Sequence, residues 1–196
     1  MGFWPSKADS DLWMREKDDH YEYLCVYVDD YLYTGKDPDG FHESLRTLNF
    51  KLKGCGEPKY HLGGDFGRVK YSDGKTYLTW GARTYITKRM MATYKTLYGD
   101  LPPKTKQRNP LDPKYRPELD DSELCSDAEK QEYWKLIGEL QWCSGLGRID
   151  IVSATVTMSR FRPAPRKGHL HHVKRIYSFL HTFKKGSIKF DTAVPD

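Results

Sequence analysis

The feature that most constrains the fold is a pair of apolar and aromatic runs separated by two aspartates. Residues 23–28 read YLCVYV, Asp29 and Asp30 follow, and residues 31–34 read YLYT. Short runs rich in β-branched and aromatic side chains are typical of buried strands, and Asp-Asp between them favours a tight turn. The sequence therefore predicts a β-hairpin with two carboxylates at its tip.

Two adjacent carboxylates repel each other, and a divalent cation removes that penalty. Mg²⁺ takes oxygen ligands and leaves coordination positions open for substrate phosphates. In phosphoryl transfer, two such ions stabilise both the attacking and the leaving oxygen. From the residues alone, a metal site at Asp29 and Asp30 and an ordinary solvated turn both stay open.

The tetrapeptide Tyr27-Val28-Asp29-Asp30 resembles the aromatic-x-Asp-Asp motif of reverse transcriptases. Other short motifs follow in the order found in the polymerase of copia-type LTR retrotransposons, from about Lys7 to about Leu180. They are the Leu-Gly hairpin at Leu62-Gly63, Tyr85-Ile86, Gly138 to Trp142, Arg148 to Ile151, Ser159 to Phe161, and the helix with His169 to Ile176. The chain is similar to the C-terminal palm and thumb part of that RNA-directed DNA polymerase.

The resemblance implies an α+β fold, a partial palm of antiparallel hairpins plus a helix followed by a helical thumb. Residues 1–82 would form the palm, with the Asp-Asp hairpin and a primer-grip-like hairpin. Residues 83–125 would hold the first thumb helix and a Pro-rich connector. Residues 126–196 would extend the thumb toward an RNase H domain that the chain lacks.

The resemblance also implies the chemistry of the site. Asp29 and Asp30 would be the catalytic pair that binds Mg²⁺ or Mn²⁺, and Tyr27 and Val28 would pack beside the primer end. The primer 3′-OH would attack the α-phosphate of a dNTP in line, with the metal ions neutralising the developing charge. An RNA or DNA template-primer, a dNTP and further segments of the polyprotein would be the partners.

A second hairpin is predicted from residues 60–69 and 75–80, where Gly63 and Gly64 indicate a bulge or a close approach of the backbone. In the family, Leu62, Gly63 and Gly64 would form the primer grip. A plain β-hairpin with a glycine bulge explains the same residues equally well.

Two predicted helices carry basic residues that fit a phosphate backbone. Lys88, Arg89 and Lys95 lie off the apolar stripe of a helix over residues 84–98, and Lys174 and Arg175 lie on a helix over residues 167–183. Lys184 and Lys185 follow that second helix, and the formal net charge of +5 favours acidic partners such as nucleic acid. A solvated helix face explains the same charges.

The remaining elements follow from capping and periodicity. Asp37 and Pro38 begin a helix whose stripe, Phe41 to Leu52, ends before Gly54. Ser126 caps a helix over residues 127–146, a short helix covers residues 150–161, and residues 187–190 begin a strand. The Pro-rich stretch of residues 99–126 is the best candidate for a domain boundary.

The chain departs from the family in ways that affect function. The fingers and the palm strand carrying the third catalytic aspartate belong upstream of its first residues, Trp80-Gly81 stands where Gln is common, and Arg148-Ile149-Asp150 replaces Arg-Pro-Asp. We therefore expect a truncated reverse transcriptase that is inactive alone. The alternatives are a domesticated, non-catalytic RNA- or DNA-binding protein and an unrelated two-metal hydrolase or structural protein.

The sequence also predicts a location inside the cell, cytoplasmic or nuclear. The four cysteines are widely spaced and include no Cys-x-x-Cys pair, which disfavours zinc and suits a reducing compartment. No apolar run approaches the roughly 20 residues that cross a membrane, so no membrane partner is expected.

Overall fold

A computed structural model of the chain describes residues 1–190. They form two antiparallel four-stranded sheets and five α-helices, which confirms the predicted α+β class. The chain divides into two compact units, Met1–Pro58 and Lys59–Asp196. Residues 191–196, the end of the predicted thumb extension, lie outside the described residues.

The first unit is a sheet with one helix. Its strands are β1 (Trp4–Pro5), β2 (Leu12–Lys17), β3 (His20–Tyr27) and β4 (Asp30–Thr34), which lie side by side in chain order. Helix α1 (Pro38–Thr47) packs on the sheet through Phe41, whose ring stacks on Tyr33 with 4.1 Å between centroids. Leu24 and Val26 pair with Tyr33 and Tyr31, so these four side chains share the face that α1 covers.

Helix α1 begins as predicted and ends earlier. The Asp37 side chain accepts a hydrogen bond from the Gly40 amide, and Pro38 occupies the first turn. The helix stops at Thr47 because Asn49 adopts a left-handed backbone with φ of 64°, a usual way to end a helix. The predicted stripe to Leu52 is therefore wrong in its last turn.

A buried carboxylate lies beneath the α1 face of the sheet. The Glu22 side chain is fully buried and accepts hydrogen bonds from the Arg15 guanidinium and, at 2.8 Å, from the Tyr33 hydroxyl. Burial opposes the charged form of Glu22, but the hydrogen bonds from Arg15 and Tyr33 outweigh it and lower its pKa. Burial and the contact with Glu22 raise the pKa of Tyr33 to about 12, so this hydroxyl remains a donor.

The second unit contains the other sheet, β5 (Tyr60–His61), β6 (Gly64–Lys70), β7 (Thr76–Gly81) and β8 (Ser187–Phe190), again in chain order. Strand β8 was predicted and pairs with β7. A single strand over residues 60–69 was also predicted, and this is wrong. Leu62 and Gly63 form a tight turn there, so β5 and β6 run antiparallel, with His61 opposite Gly64.

The core of the second unit lies among its helices. These are a π-helical segment (Tyr85–Met90) that continues into α2 (Met91–Tyr98), then α3 (Asp127–Gly145), α4 (Val152–Ser159) and α5 (Lys167–Thr182). Ser126 caps α3 with a reciprocal contact to Glu129, as the sequence predicted for the cap. The largest fully buried apolar side chains are Tyr133, Tyr177, Ile86, Met90, Leu136, Ile137, Leu140, Ile151, Met158, Ile176 and Leu180.

A second buried carboxylate ties three helices together. Glu139 of α3 accepts hydrogen bonds from Thr93 of α2 at 2.6 Å and from Tyr177 of α5 at 2.9 Å. Arg89 approaches the same carboxylate to 3.6 Å from the exposed side. Because a buried carboxylate without partners is costly, this arrangement fixes how the helices meet.

The Pro-rich connector packs along α5. The imidazole of His181 contacts the Pro102 carbonyl at 2.6 Å, the Thr105 amide donates to the Thr182 hydroxyl at 3.0 Å, and Leu124 forms a β-bridge with Arg166. The chain divides instead at Pro58 and Lys59. No helix among residues 1–190 has the length and apolar character needed to span a membrane.

The burial of Glu22 predicts a specific dependence of stability on pH. Glu22→Gln should lower the free energy of unfolding by about 2 kcal/mol near pH 7, because charge-assisted hydrogen bonds are lost. A carboxylate with a lowered pKa stabilises the fold above its unfolded value of about 4.3 and loses that contribution as the pH falls through its folded pKa. The difference between the two proteins should therefore shrink below about pH 4.

The measurement is urea unfolding of the original and substituted chains between pH 3 and pH 7, a range that brackets the carboxylate reference value of about 4.3. The control is Glu16→Gln, because Glu16 is an exposed carboxylate on the same sheet. This substitution should change the free energy of unfolding little. Equal effects of the two substitutions at pH 7 would refute the role given to Glu22.

Two glycines should respond oppositely to alanine. A Cβ on Gly64 would lie 2.1 Å from the Trp80 ring, so Gly64→Ala should destabilise the second unit by about 1–3 kcal/mol through overpacking. Gly138 is exposed on α3 and a Cβ there meets nothing within 4 Å, so Gly138→Ala should stabilise by about 0.5–1 kcal/mol. Thermal unfolding of both variants measures this contrast, and shifts of the same sign would be inconsistent with the packing described.

Candidate active site

The Asp-Asp hairpin is formed by β3 and β4. The two strands pair up to Tyr27 opposite Asp30, which leaves Val28 and Asp29 as a two-residue turn. Both aspartate side chains are exposed. Asp30 begins β4 and shares a sheet face with Tyr27, while Asp29 occupies the turn itself.

Val28 holds the turn in an unfavourable backbone conformation. Its φ is 56°, in the left-handed region that β-branched residues rarely adopt. Its side chain is 86% exposed, so packing does not repay the strain. Strain of this kind costs about 1–3 kcal/mol and concentrates at functional sites.

The neighbouring hairpin of the same sheet provides an internal comparison. The β2–β3 turn consists of Asp18 and Asp19, and Asp18 has a φ of 55°, close to that of Val28. Asp19 lies 2.7 Å from the Lys36 ammonium and 3.2 Å from the His20 imidazole. Hydrogen bonds from Lys36 and then His20 lower the pKa of Asp19. One carboxylate of this acidic turn, Asp19, is therefore paired with cations of the protein itself.

No such neutralisation exists at the Asp29–Asp30 turn. Within residues 1–190, neither side chain forms an ion pair or a hydrogen bond. Two adjacent exposed carboxylates without a cationic partner are suitable ligands for a hard divalent cation. Among the described residues no group of three or more His, Cys, Asp or Glu side chains is placed to hold a metal, so Asp29 and Asp30 belong to no such cluster.

The sheet face that carries Asp30 is open and aromatic. Tyr21, Tyr23 and Tyr27 alternate along β3 on this face, and Trp4 lies on it beside Met14 and Tyr23. All four rings are substantially exposed. The prediction that these strands are buried is therefore wrong for one face, because α1 covers only the other. We call this surface the aromatic face, and it leads along β3 to the two carboxylates.

The aromatic face has a signal in the sequence, since every second residue from 21 to 27 lies on it: Tyr21, Tyr23, Cys25 and Tyr27. Alternation of this kind is typical of a strand whose two faces differ. Interpreted as one apolar run, residues 23–28 predict a strand but do not separate its two faces. The same alternation places Glu22 on the covered side with Leu24 and Val26.

The glycines of the second hairpin are held by packing within the second unit. Leu62 and Gly63 have φ of 46° and 94°, as expected for a two-residue turn of type I′. A Cβ on Gly63 would lie 3.1 Å from Trp142 Nε1 and 3.2 Å from a Leu146 methyl group. Close approach of the backbone is thus observed, and its partners here are side chains of α3 and, for Gly64, Trp80.

The predicted nucleic-acid-binding cations fall into two groups. Lys88 and Lys95 are exposed on the outer surface of the helix, with Ala92 between them, and Arg89 is exposed beside Glu139. Lys174 instead lies over the Tyr98 ring, 3.9 Å from its centroid, and Arg175 lies 3.8 Å from Asp112 of the connector. Lys174 and Arg175 therefore have roles in packing α5, whereas Lys88 and Lys95 are accessible.

Comparison with known proteins gives two similar transposon proteins. The chain is 31% identical over 182 residues to the retrovirus-related Pol polyprotein from transposon RE1 of Arabidopsis thaliana. The aligned residues make up 92% of this chain and 12% of that protein. It is 25% identical over 193 residues to the putative transposon Ty5-1 protein of Saccharomyces cerevisiae, covering 97% of this chain and 58% of that protein. No family model matches, and no solved structure matches.

The strain at Val28 predicts a gain in stability. Val28→Asn should raise the free energy of unfolding of the first unit by about 1 kcal/mol, because Asn tolerates the left-handed backbone and no packed side chain is removed. Denaturant unfolding followed by the backbone amide NMR signals of β2 to β4 measures the change in the first unit.

The reciprocal control is Asp18→Val at the other turn, which has nearly the same φ. It should destabilise the unit by a similar amount. If Val28→Asn is neutral or destabilising while Asp18→Val behaves as expected, the strain assigned to Val28 is absent.

Proposed function

We propose that the chain contributes the palm hairpin and the thumb helices of a retrotransposon RNA-directed DNA polymerase. The observation that carries the proposal is the pair of uncompensated carboxylates at Asp29 and Asp30, next to an open aromatic face. The similarity to a Pol polyprotein over 92% of the chain supports it, as does the order of the short motifs.

In this proposal Asp29 and Asp30 hold Mg²⁺ or Mn²⁺, which supplies charge stabilisation for transfer of a nucleotide to a primer. Tyr27 and the rest of the aromatic face lie along the sugars and bases of the primer end, because exposed aromatic rings offer apolar contact and stacking. Val28 keeps the two carboxylates at the apex of the turn.

The second unit contributes contacts to the phosphate backbone. Lys88 and Lys95 lie on the outer surface of one helix and are accessible to phosphates. The turn at Leu62 and Gly63 corresponds to the primer grip, although its observed contacts are with α3. Residues 1–82 are accordingly assigned to the palm, residues 83–125 to the first thumb helix and connector, and the residues from 126 onward to the rest of the thumb.

Two carboxylates do not complete a two-metal site. Because the described residues hold no third ligand near them, the proposal requires a further carboxylate from another segment of the polyprotein. The chain spans 12% and 58% of the two relatives, so other segments of such proteins are available for this role. The chain alone is expected to bind metal weakly and to catalyse nothing.

Divalent-metal binding tests the hairpin directly. Mn²⁺ added to the isotopically labelled chain should broaden the backbone amide signals of residues 27–30, because the ion is paramagnetic and binds the two carboxylates. Asp29→Asn combined with Asp30→Asn should remove this broadening. Two-dimensional NMR spectra across a Mn²⁺ titration provide the measurement.

The matched control is Asp18→Asn combined with Asp19→Asn, the acidic pair at the other turn of the sheet. This variant should keep the broadening at residues 27–30, and the original chain should show little at the turn that Lys36 neutralises. Equal broadening at both turns would mean that any exposed acidic turn suffices, and the proposal would lose its main support.

The second candidate function is a non-catalytic RNA- or DNA-binding protein. The incomplete ligand set and the accessible cations Lys88 and Lys95 favour it. Lys88→Gln combined with Lys95→Gln should reduce the slope of log affinity against log salt by about 1.8 for a duplex. The charge-matched control is Lys70→Gln combined with Lys75→Gln, since both lysines are exposed beside the turn between β6 and β7.

The two candidates differ in their dependence on the hairpin. If Asp29→Asn leaves template-primer affinity the same with and without Mg²⁺, the binding function stands and the catalytic one fails. If the affinity rises with Mg²⁺ only while both aspartates are present, the polymerase assignment is supported.

A further inference from the structure

A separate cleft opens where α5 ends. It is wholly within the second unit and has a volume of about 590 Å³, a size usual for small-molecule sites. Its lining combines residues from the connector, from α5 and from the loop that leads to β8. They are Arg108, Asp150, Phe179, Thr182, Phe183, Lys184, Lys185 and Gly186.

The cleft carries a net positive charge. Arg108, Lys184 and Lys185 line it, and none of them forms an ion pair with a carboxylate of residues 1–190. The one acidic lining residue, Asp150, is held by Arg148 through two hydrogen bonds of 2.8 and 2.7 Å. Because Arg148 neutralises Asp150, the three other cations remain available to an anionic ligand.

The buried Arg148 side chain lies behind two residues that line the cleft, Phe179 and Gly186. Its side chain is 1% exposed, and its guanidinium lies 6.0 Å from the centroid of the Phe179 ring. Gly186 packs directly against it, since a Cβ there would lie 3.1 Å from Arg148 Nε. Its Nη1 atom is buried and has no partner among the described residues. The cleft therefore lies over a buried guanidinium.

The apolar part of the cleft is aromatic. Phe179 and Phe183 lie one turn apart at the end of α5, with 5.0 Å between ring centroids. Phe183 is 37% exposed, so part of its ring is open to a ligand. An aromatic ring beside three cations suits a ligand that has both a flat ring and a phosphate.

We propose that this cleft binds an unpaired nucleotide of single-stranded nucleic acid. The base packs against Phe183, and Lys184, Lys185 and Arg108 contact the phosphates on either side. A single strand is favoured over a duplex because stacking within a duplex hides the base faces that an aromatic ring would contact. The inference shares its nucleic-acid ligand with the proposed function, but it depends on neither the hairpin nor the metal.

Fluorescence anisotropy of a labelled 12-residue oligo-dT with the full 196-residue chain tests the proposal. Lys184→Gln combined with Lys185→Gln should weaken binding and reduce the slope of log affinity against log salt by about 1.4. Lys70→Gln combined with Lys75→Gln removes the same charge at the opposite end of the sheet and should leave the slope nearly unchanged.

Phe183→Leu should weaken oligo-dT binding about tenfold without changing the salt slope, because it removes stacking and no charge. It should have no effect on a duplex of the same length or on an abasic oligonucleotide. Circular dichroism confirms that each variant is folded, and the Lys184–Lys185 variant provides a result even if Phe183→Leu does not fold.

The outcomes separate this inference from the proposed function. Loss of oligo-dT binding in the cleft variants, with the Lys70–Lys75 control binding normally, supports the cleft whatever the Mn²⁺ experiment shows. Equal binding by the Lys184–Lys185 variant and its control overturns the inference and leaves the hairpin untouched. Binding that depends on the two lysines but is the same for abasic strands, duplex and oligo-dT also overturns it, since the cleft would then recognise phosphate alone.

Discussion

The register of β3 against β4 is the constraint on which the first unit depends. With Tyr27 opposite Asp30, the α1 face receives Leu24, Val26 and their aromatic partners, and the opposite face receives the exposed tyrosines. A slip of one residue would exchange the two faces, exposing the contact with Phe41 and burying the tyrosines. The same register leaves Val28 and Asp29 as the turn and places Asp30 on the open side. Fold and candidate site are thus set by one pairing.

The carboxylates of the chain divide by whether the protein neutralises them. Glu22, Glu139 and Asp150 each have cationic or hydroxyl partners, and the first two join different strands or helices through them. Asp29 and Asp30 have none among the described residues, although Asp19 at the equivalent turn is paired with Lys36. This contrast distinguishes two acidic turns of the same sheet by their cationic partners. It also explains why the hairpin alone is an incomplete metal site.

Much of the fold was predictable because local signals were strong. The caps at Asp37 and Ser126, the hairpin at Asp29 and the β8 strand were each predicted by residues close in sequence. The family resemblance placed a hairpin at Leu62-Gly63, whereas the residue pattern alone predicted one strand there, because leucine rarely adopts a positive φ. The early end of α1 depended on Asn49. The aromatic face and the cleft at the end of α5 depend on which side of an element a neighbour covers. Arg148 beneath Gly186 is an example that spacing along the chain does not reveal.

The most direct test of the central claim is primer extension on an RNA template by this chain joined to the polyprotein segments that supply the further carboxylate. The account predicts incorporation of dNTPs that requires Mg²⁺ or Mn²⁺ and falls to background in Asp29→Asn, while Asp18→Asn retains activity. Extension that persists in Asp29→Asn combined with Asp30→Asn would contradict the account, because the hairpin would then have no part in the chemistry. The absence of extension by any form of the protein would equally contradict a polymerase and would leave nucleic-acid binding as its function.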